Sequence, residues 1–277
     1  MIKISVISLF RNSEKFLPRL FDKLETLEKK YEMDFYFYEN DSTDKTREKL
    51  AEWMKERRGQ FIYEDINTPV FGHVTDKARM DLMVRYRNTI LEAARPLKSE
   101  YTLMIDSDVD FSSKIVKDYL PFFKKKTGIL SAPVVMCTPF IKQNIKCVMG
   151  EPTQLSYFDS FALKDMKGNK GMLLSSNPFW EKEDRELWKE GKPVEVHSAF
   201  GGVAMIRSET LNKVKWSTIG GCEHWLFCEE VRRYGKILAV PTVDVYTEVN
   251  HWVPDQRLIE VQRKLLSDPW ARLAANL

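Results

Sequence analysis

The chain has no apolar run long enough to cross a bilayer. Its first residues, MIKISVISLF, lack the long apolar core and small-residue cleavage site of a secretory leader. A soluble, cytoplasmic protein without a transmembrane segment is therefore expected, with a removed membrane anchor as the other reading. Paired cysteines are missing too: Cys137, Cys147, Cys222 and Cys228 form no CxxC and no spacing typical of zinc. Buried free thiols are expected, and a Cys222–Cys228 bridge only in an oxidising compartment. Net charge is scarce, 43 basic against 40 acidic residues for +3, which argues against wholesale nucleic-acid binding; Lys124–Lys126 reads as a solvated helix end. There is no internal repeat and no low-complexity linker.

What the 277 residues do contain is an ordinary globular mixture, 43% apolar and 30% charged, with ample length for a buried core. The first half alternates strand and helix patterns. Lys3–Leu9, Met33–Glu39, Gln60–Asp65 and Tyr101–Ile105 are short, β-branched or aromatic runs that read as strands. Asn12–Lys30, Thr43–Arg58 and Thr75–Ala94 carry apolar residues at helical spacing, such as Phe16, Leu20, Leu24 and Leu27. Such alternation predicts an α/β fold with a mostly parallel central sheet and helices on both faces, whose ligands bind beyond the carboxyl ends of the strands. The second half predicts a strand at Gly128–Cys137, loops and short pieces over Lys142–Pro193, a helix near Glu223–Tyr234, strands near Lys236–Val240 and Val243–His251, and a helix from Asp255 to about Ala274. A single domain over 1–277 is expected, made of a regular half, 1–137, and a less regular half, 138–277.

Two strands end in polar clusters: Glu39-Asn40-Asp41 and Asp106-Ser107-Asp108, the latter within MIDSDVDFSS. A calcium loop is excluded, because its sixth position needs Gly and its twelfth Glu, where this chain has Phe111 and Lys117. Helix capping by Ser112 or Ser113 and simple solvation remain ordinary readings of a D-x-D stretch. In extended geometry Asp106 and Asp108 would point to one side of the sheet rim. There they suit a hard divalent cation that also bridges a diphosphate.

The stretches VRYRNTILEAARPLKSEYTLMIDSDVDF, YENDSTDKTREKLAEW, FGGVAMIRSETLNKVKW and GGCEHWLFCEEVRRYGKILAVPTVDVY, taken in order, resemble GT-A glycosyltransferases. Among these they resemble the fungal Golgi mannan-polymerase and capsule-associated mannosyltransferases. The resemblance spans Lys3 to His251 except Lys142–Pro193. It implies Mn²⁺ or Mg²⁺ held by Asp106, Asp108 and His251, and donor contacts from Asn40, Asp41, Arg85, Asn88, Asp106, Ser107, Gly201 and Gly202. Arg87 stands open between donor and surface, and Arg79 is a weaker candidate. Glu223 or His224 would deprotonate the acceptor; many relatives read Glu-Asp where this chain reads Glu223-His224. Each has a plainer reading: Asp41 as a cap, Arg85 in a surface pair, the glycines as a turn, Glu223 at a helix start, His251 packed beside Trp252. Asp110 is expected behind the metal ligands or at a cap, Glu229 and Glu230 on the surface, and His73 and His197 carry no assignment. Trp180, Trp188, Trp225 and Trp252 are candidates to stack on acceptor sugars, though tryptophan usually packs in cores.

The leading expectation is metal-dependent transfer of a sugar from a UDP- or GDP-sugar to a hydroxyl of a glycan acceptor. A sugar-1-phosphate nucleotidyltransferase would need a Gly-rich basic loop after the first strand, where SLFRNSEKF has no glycine. A degenerate, non-catalytic carbohydrate-binding module is the third reading, and intact Asp106, Asp108 and Glu223 weigh against it.

Overall fold

The computed structural model describes residues 1–69, 71, 76–124, 134–144, 155–157, 159–172, 175–219 and 221–247. Along the chain run β1 (Lys3–Phe10), α1 (Leu17–Glu28), β2 (Glu32–Asn40), α2 (Thr46–Met54), β3 (Gly59–Glu64), α3 (Lys77–Ala94), β4 (Tyr101–Asp106), β5 (Val109–Phe111) and α4 (Ile115–Lys124). They continue as β6 (Val134–Asn144), β7 (Leu155–Tyr157), β8 (Lys164–Asp165), α5 (Lys182–Lys189), β9 (Val194–Ser198), β10 (Val203–Arg207), α6 (Ser208–Leu211), α7 (Glu223–Arg232) and β11 (Lys236–Thr247). The strands form one sheet in the order β3-β2-β1-β4-β10-β6-β11-β9-β8, with β5 beside β11 and β7 beside β6. Its first four strands are mutually parallel, β10 runs antiparallel between β4 and β6, and β6 and β11 are again parallel.

The strands are apolar on both sides because both faces are covered. Ile4, Val6 and Phe10 of β1, Phe35 and Phe37 of β2, and Leu103 and Ile105 of β4 pack under α1, α2 and α4. Ile7, Tyr38, Met104, Ala204 and Ile206 pack on the other face under α3, α5 and α7. Between β1, β4 and α6 lies a buried hydroxyl chain: Ser5 meets Ser99, and Ser208 meets both Ser99 and Thr102, each at 2.8 Å.

The sequence-derived elements differ from the observed ones chiefly at the rim. The helix expected from Asn12 begins at Leu17, with Pro18 in its first turn. Residues 11–16 are held as a loop because the N–H groups of Asn12, Ser13 and Glu14 donate to Ser42 Oγ, Thr46 Oγ1 and Asp44 Oδ2. The two final strands are one, β11, with an irregularity between Val240 and Asp244. Cys137, Cys222 and Cys228 are buried free thiols, so no Cys222–Cys228 bridge forms. Of the strand expected over Gly128–Cys137, residues 128–133 lie outside the described residues, as do His73, Cys147, His251, Trp252 and the helix expected from Asp255. Among the described residues, no helix is long and apolar enough to cross a membrane.

Ser208→Ala removes the shared partner of Ser99 and Thr102. It should lower unfolding stability by about 1–3 kcal/mol, the cost of stranding buried hydroxyls, read from urea denaturation.

Candidate active site

The parallel register brings the two polar clusters together: Leu9 lies beside Asp106, and Phe10 beside Glu39. Both clusters therefore leave the sheet at the carboxyl end of β1, where parallel sheets bind ligands. Their local roles differ. Glu39 is fully buried; it accepts from the Ser42 N–H at 2.8 Å and the Arg47 guanidinium at 2.6 Å. Asp41, at φ 50°, accepts from the backbone N–H groups of Ile66, Asn67 and Thr68 and from the Thr68 hydroxyl. Those bonds, with the Asn40 amide and despite opposing burial, hold its carboxyl well below the usual range. Asn40 also reaches Thr68 and the Tyr86 hydroxyl. The pair thus shapes the loop that follows β3, on the flank of the rim.

At Asp106 the chain does not stay extended. It turns at Ser107 and Asp108 before entering β5, so the two acids do not share a strand face as extended geometry predicts. Asp106 faces inward with 36% of its side-chain surface open, while Asp108 is exposed. Ser107 Oγ meets Ser13 Oγ at 2.8 Å, tying this turn to the loop after β1. Asp110 approaches Arg19 at 3.9 Å.

Arg87 is the centre of the cluster. Its guanidinium lies 3.6 Å from Asp106 Oδ1 and 3.4 Å from Glu223 Oε1, over the rings of Phe200 and Trp216. A helix advances about 100° per residue, so positions 85 and 87 point almost oppositely. Arg85 accordingly reaches Glu64 at 2.8 Å on the half-exposed flank, away from the acids. Asn88 pairs in both directions with the Trp216 backbone, at 2.9 Å each way, and so pins α3 to the segment before α7. The expected donor pair Arg85 and Asn88 is thus not brought to the cluster, whereas Arg87 is.

Glu223 opens α7 and is buried. Burial opposes its charge, but His224, where its imidazole is protonated in acid, and Arg87 outweigh it and hold its carboxyl below the usual range. His224 stacks on Phe200 at 4.2 Å, with Nε2 3.4 Å from Glu223 Oε1. Burial lowers its pKa, leaving the imidazole neutral near neutral pH. Its Nδ1 is buried with no hydrogen-bond partner among the described residues. The Cys222 thiol lies 3.7 Å from Glu223 Oε2.

One acid of the cluster carries no sequence signal. Asp159 sits in the stretch expected to be loops, yet Oδ2 accepts from the Gly201 N–H at 2.9 Å and Oδ1 from the Ala162 N–H at 3.2 Å. Burial pushes its carboxyl up to about 6, against those two hydrogen bonds. Gly201 and Gly202 both adopt left-handed φ, 75° and 69°. The Gly202 carbonyl accepts from the Asp106 N–H at 2.7 Å, and a Cβ at Gly202 would stand 2.5 Å from a Val109 methyl. The glycine turn therefore locks the Asp106 strand end. Asp106 itself is pushed up to about 7 by burial, which Arg87 opposes and Asp108, Glu223 and Asp159 reinforce. Acid outweighs base here, and hard carboxylate oxygens in excess of their cationic partners suit a divalent cation. Asp106 and Asp108 supply such oxygens. Among the described residues no group of three or more His, Cys, Asp or Glu is placed to hold a metal ion. Of the tryptophans, Trp188 is buried, Trp180 donates to the Lys170 carbonyl, and Trp225 donates to the Phe161 carbonyl.

The architecture matches S. aureus TarS 1-349 at TM-score 0.50 and 18% identity, over 89% of this chain and 60% of that one. It matches the complex of TarS 1-349 with UDP at 0.51 and 15%, over 96% and 64%. It also matches the mannosyltransferase PcManGT from Pyrobaculum calidifontis, in complex with GDP-Man and Mn²⁺, at 0.51 and 13%, over 94% and 60%. The chain spans about three fifths of the length of these structures. Together they define the fold as that of a GT-A glycosyltransferase. No curated protein matches the chain. The family model described as Cryptococcal mannosyltransferase 1 matches residues 3–232, and the chain belongs to that family.

Arg87→Met should leave Asp106 and Glu223 without their cation and cost about 3–5 kcal/mol near pH 8. Asp106 is raised in the fold, so the stability it contributes is complete below the ordinary carboxylate pKa and is lost as pH rises through about 7. The deficit of the variant should therefore narrow toward pH 5.5, measured by urea unfolding at both pH values.

Proposed function

We propose that this chain transfers a sugar from a nucleotide-sugar donor to a hydroxyl of a glycan acceptor, with a divalent cation required. The observation that carries the reading is Arg87 set between Asp106 and Glu223 at the carboxyl ends of the parallel strands. Membership of a mannosyltransferase family favours GDP-mannose as donor; the UDP complex of TarS 1-349 keeps UDP-sugars open.

Asp106 and Asp108 would hold the cation, Mn²⁺ or Mg²⁺, with His251 expected as a further ligand from a part of the chain outside the description. Bound there, the cation would offset charge on the departing nucleoside diphosphate. Arg87 contributes to the same neutralisation, since its planar fork can bind phosphate oxygens in pairs and stays charged. This movement of charge also tunes Glu223. In the ligand-free site Arg87 suppresses the basicity of Glu223, making it a weak base. A diphosphate that draws the guanidinium toward itself leaves Glu223 more basic, beside a neutral His224, when the acceptor proton must leave. Base activation would thus follow donor binding. Asn40, Asp41 and Ser107 act in this reading by holding the loops that close around the nucleoside, and Gly201 and Gly202 by letting backbone approach the transferred sugar.

The loop after β1 weighs against nucleotidyl transfer, since three of its N–H groups are already bound to α2-side oxygens and cannot cradle a triphosphate.

Two variants test the assignment. Asp108→Ala should abolish the Mn²⁺-dependent rise in melting temperature with GDP-mannose or a UDP-sugar while the protein remains folded. Glu223→Gln should keep that rise but cut turnover by at least about 100-fold, the scale of a lost general base; undiminished turnover removes Glu223 from the mechanism.

A further inference from the structure

A short hairpin beside Trp225 carries two lysines that no carboxylate pairs with among the described residues. Lys164 opens β8 and faces Lys170 across an isolated antiparallel bridge. The connecting turn is built by buried Asp165, which accepts from the N–H groups of Lys167 and Asn169 at 2.9 and 2.8 Å and from the Asn169 amide at 2.7 Å. Asp165 is thereby committed to the turn. Lys167, between the two, pairs with Glu181 at 2.6 Å. Lys164 and Lys170 instead place their ammonium groups over one indole, 3.7 and 5.1 Å from the ring of Trp225.

A single cation over an aromatic face is modestly favourable, but like charges set opposite each other across a strand pair repel. Burial and then Lys170 lower the Lys164 pKa; Glu229, one turn beyond Trp225 on α7, pulls the other way without an ion pair. Trp225 is fixed rather than adjustable. Its N–H donates to the Phe161 carbonyl at 3.0 Å, its ring meets that of Phe161 at 5.6 Å, and a Cβ on Gly221 would stand 2.4 Å from it. The same 159–162 turn holds Gly201 through Asp159, so hairpin, indole and glycine turn belong to one connected assembly.

We propose that Trp225, Lys164 and Lys170 form the acceptor subsite and that it takes a glycan bearing an anionic group, a uronic carboxylate or a phosphate. The inference rests on the glycosyl-transfer reading and adds the acceptor class to it. The half-buried indole forms the apolar floor beneath the two ammonium groups, which supply the charge that selects the anion. An anion shared between them relieves the repulsion that the hairpin builds in. Trp225 shares α7 with the carboxylate that would take the acceptor proton, and its N–H donates to the Phe161 carbonyl, two residues from Asp159.

The test uses the intact protein and two matched probe pairs: a mannose oligosaccharide with one glucuronic acid against its carboxyl-reduced form, and mannose 6-phosphate against mannose. Binding is read by isothermal titration calorimetry at low and physiological salt. The charged member of at least one pair should bind at least about tenfold tighter, a preference of about 1.4 kcal/mol, and less so at higher salt; whichever pair shows it identifies the source of the anion. The Lys164→Gln/Lys170→Gln double variant should bring both members of that pair to equal affinity, while Lys167→Gln keeps the preference. Equal binding within both pairs, no binding of any probe, or a preference that survives the double variant overturns the inference. Hydrolysis of nucleotide sugar by the wild type, measured in the same preparation, separates the failures. With hydrolysis present and no acid preference, only the anionic acceptor falls; with neither hydrolysis nor nucleotide binding, the transferase reading falls with it.

Discussion

One cation among buried acids sets the terms for this site. Arg87 touches Asp106 and Glu223 at once, and Asp159 lies close enough to raise Asp106 further. Removing carboxylates from water is costly, and a single guanidinium cannot offset all of them. The imbalance is visible in opposite directions: Glu223 is held low, whereas Asp106 and Asp159 are pushed up. A site left acidic in this manner favours added positive charge. On the proposed reading, metal dependence and nucleotide binding would be two aspects of one electrostatic condition.

The sheet makes that condition reproducible. Parallel β1, β2 and β4 end at the same level, which delivers Glu39, Asn40, Asp41 and Asp106 to a common rim without any sequence proximity. Antiparallel β10 then brings the glycine turn from the opposite direction, so that the Gly202 carbonyl meets the Asp106 N–H. Helix α3 crosses beneath and projects Arg87, held in place because Asn88 binds the Trp216 backbone on the next face. Residues that resemble donor contacts in sequence thus include some whose observed work is to fix the geometry of others.

That difference explains how much was legible in the sequence. Strands with apolar residues on both sides, helical spacing in α1 to α3, and acids at strand ends are local patterns, and they suffice to place the rim and the Asp106 cluster, whereas Glu223 was singled out by the family resemblance. Arg87 against Arg85 was not decidable so, because both lie on α3 and only the packing of Asn88 and Tyr86 sets the rotation of the helix. Asp159 had no local mark: its partner Gly201 is 42 residues away, within a stretch whose composition reads as loop. The Ser107–Asp108 turn was missed for a related reason, since β5 breaks from β4 in order to pair with β11, a contact between segments far apart in the chain. Where a role depended on a long-range bond, sequence patterning was silent.

The long-range bonds also suggest how the two sides of the site communicate. Asp159 ties the 159–162 turn to Gly201; Gly202 ties the glycine turn to Asp106; Trp225 ties the start of α7 to Phe161. Each link is a hydrogen bond between a rigid element and a turn with little freedom, Gly202 being confined by both its positive φ and the Val109 methyl. A ligand at the Trp225 side and a change of charge at Asp106 would therefore bear on the same turn. Coupling of this kind is reciprocal by thermodynamic necessity. It would make occupancy of the acidic rim and occupancy of the aromatic, basic flank depend on each other, with Asp159 as the residue through which the dependence passes.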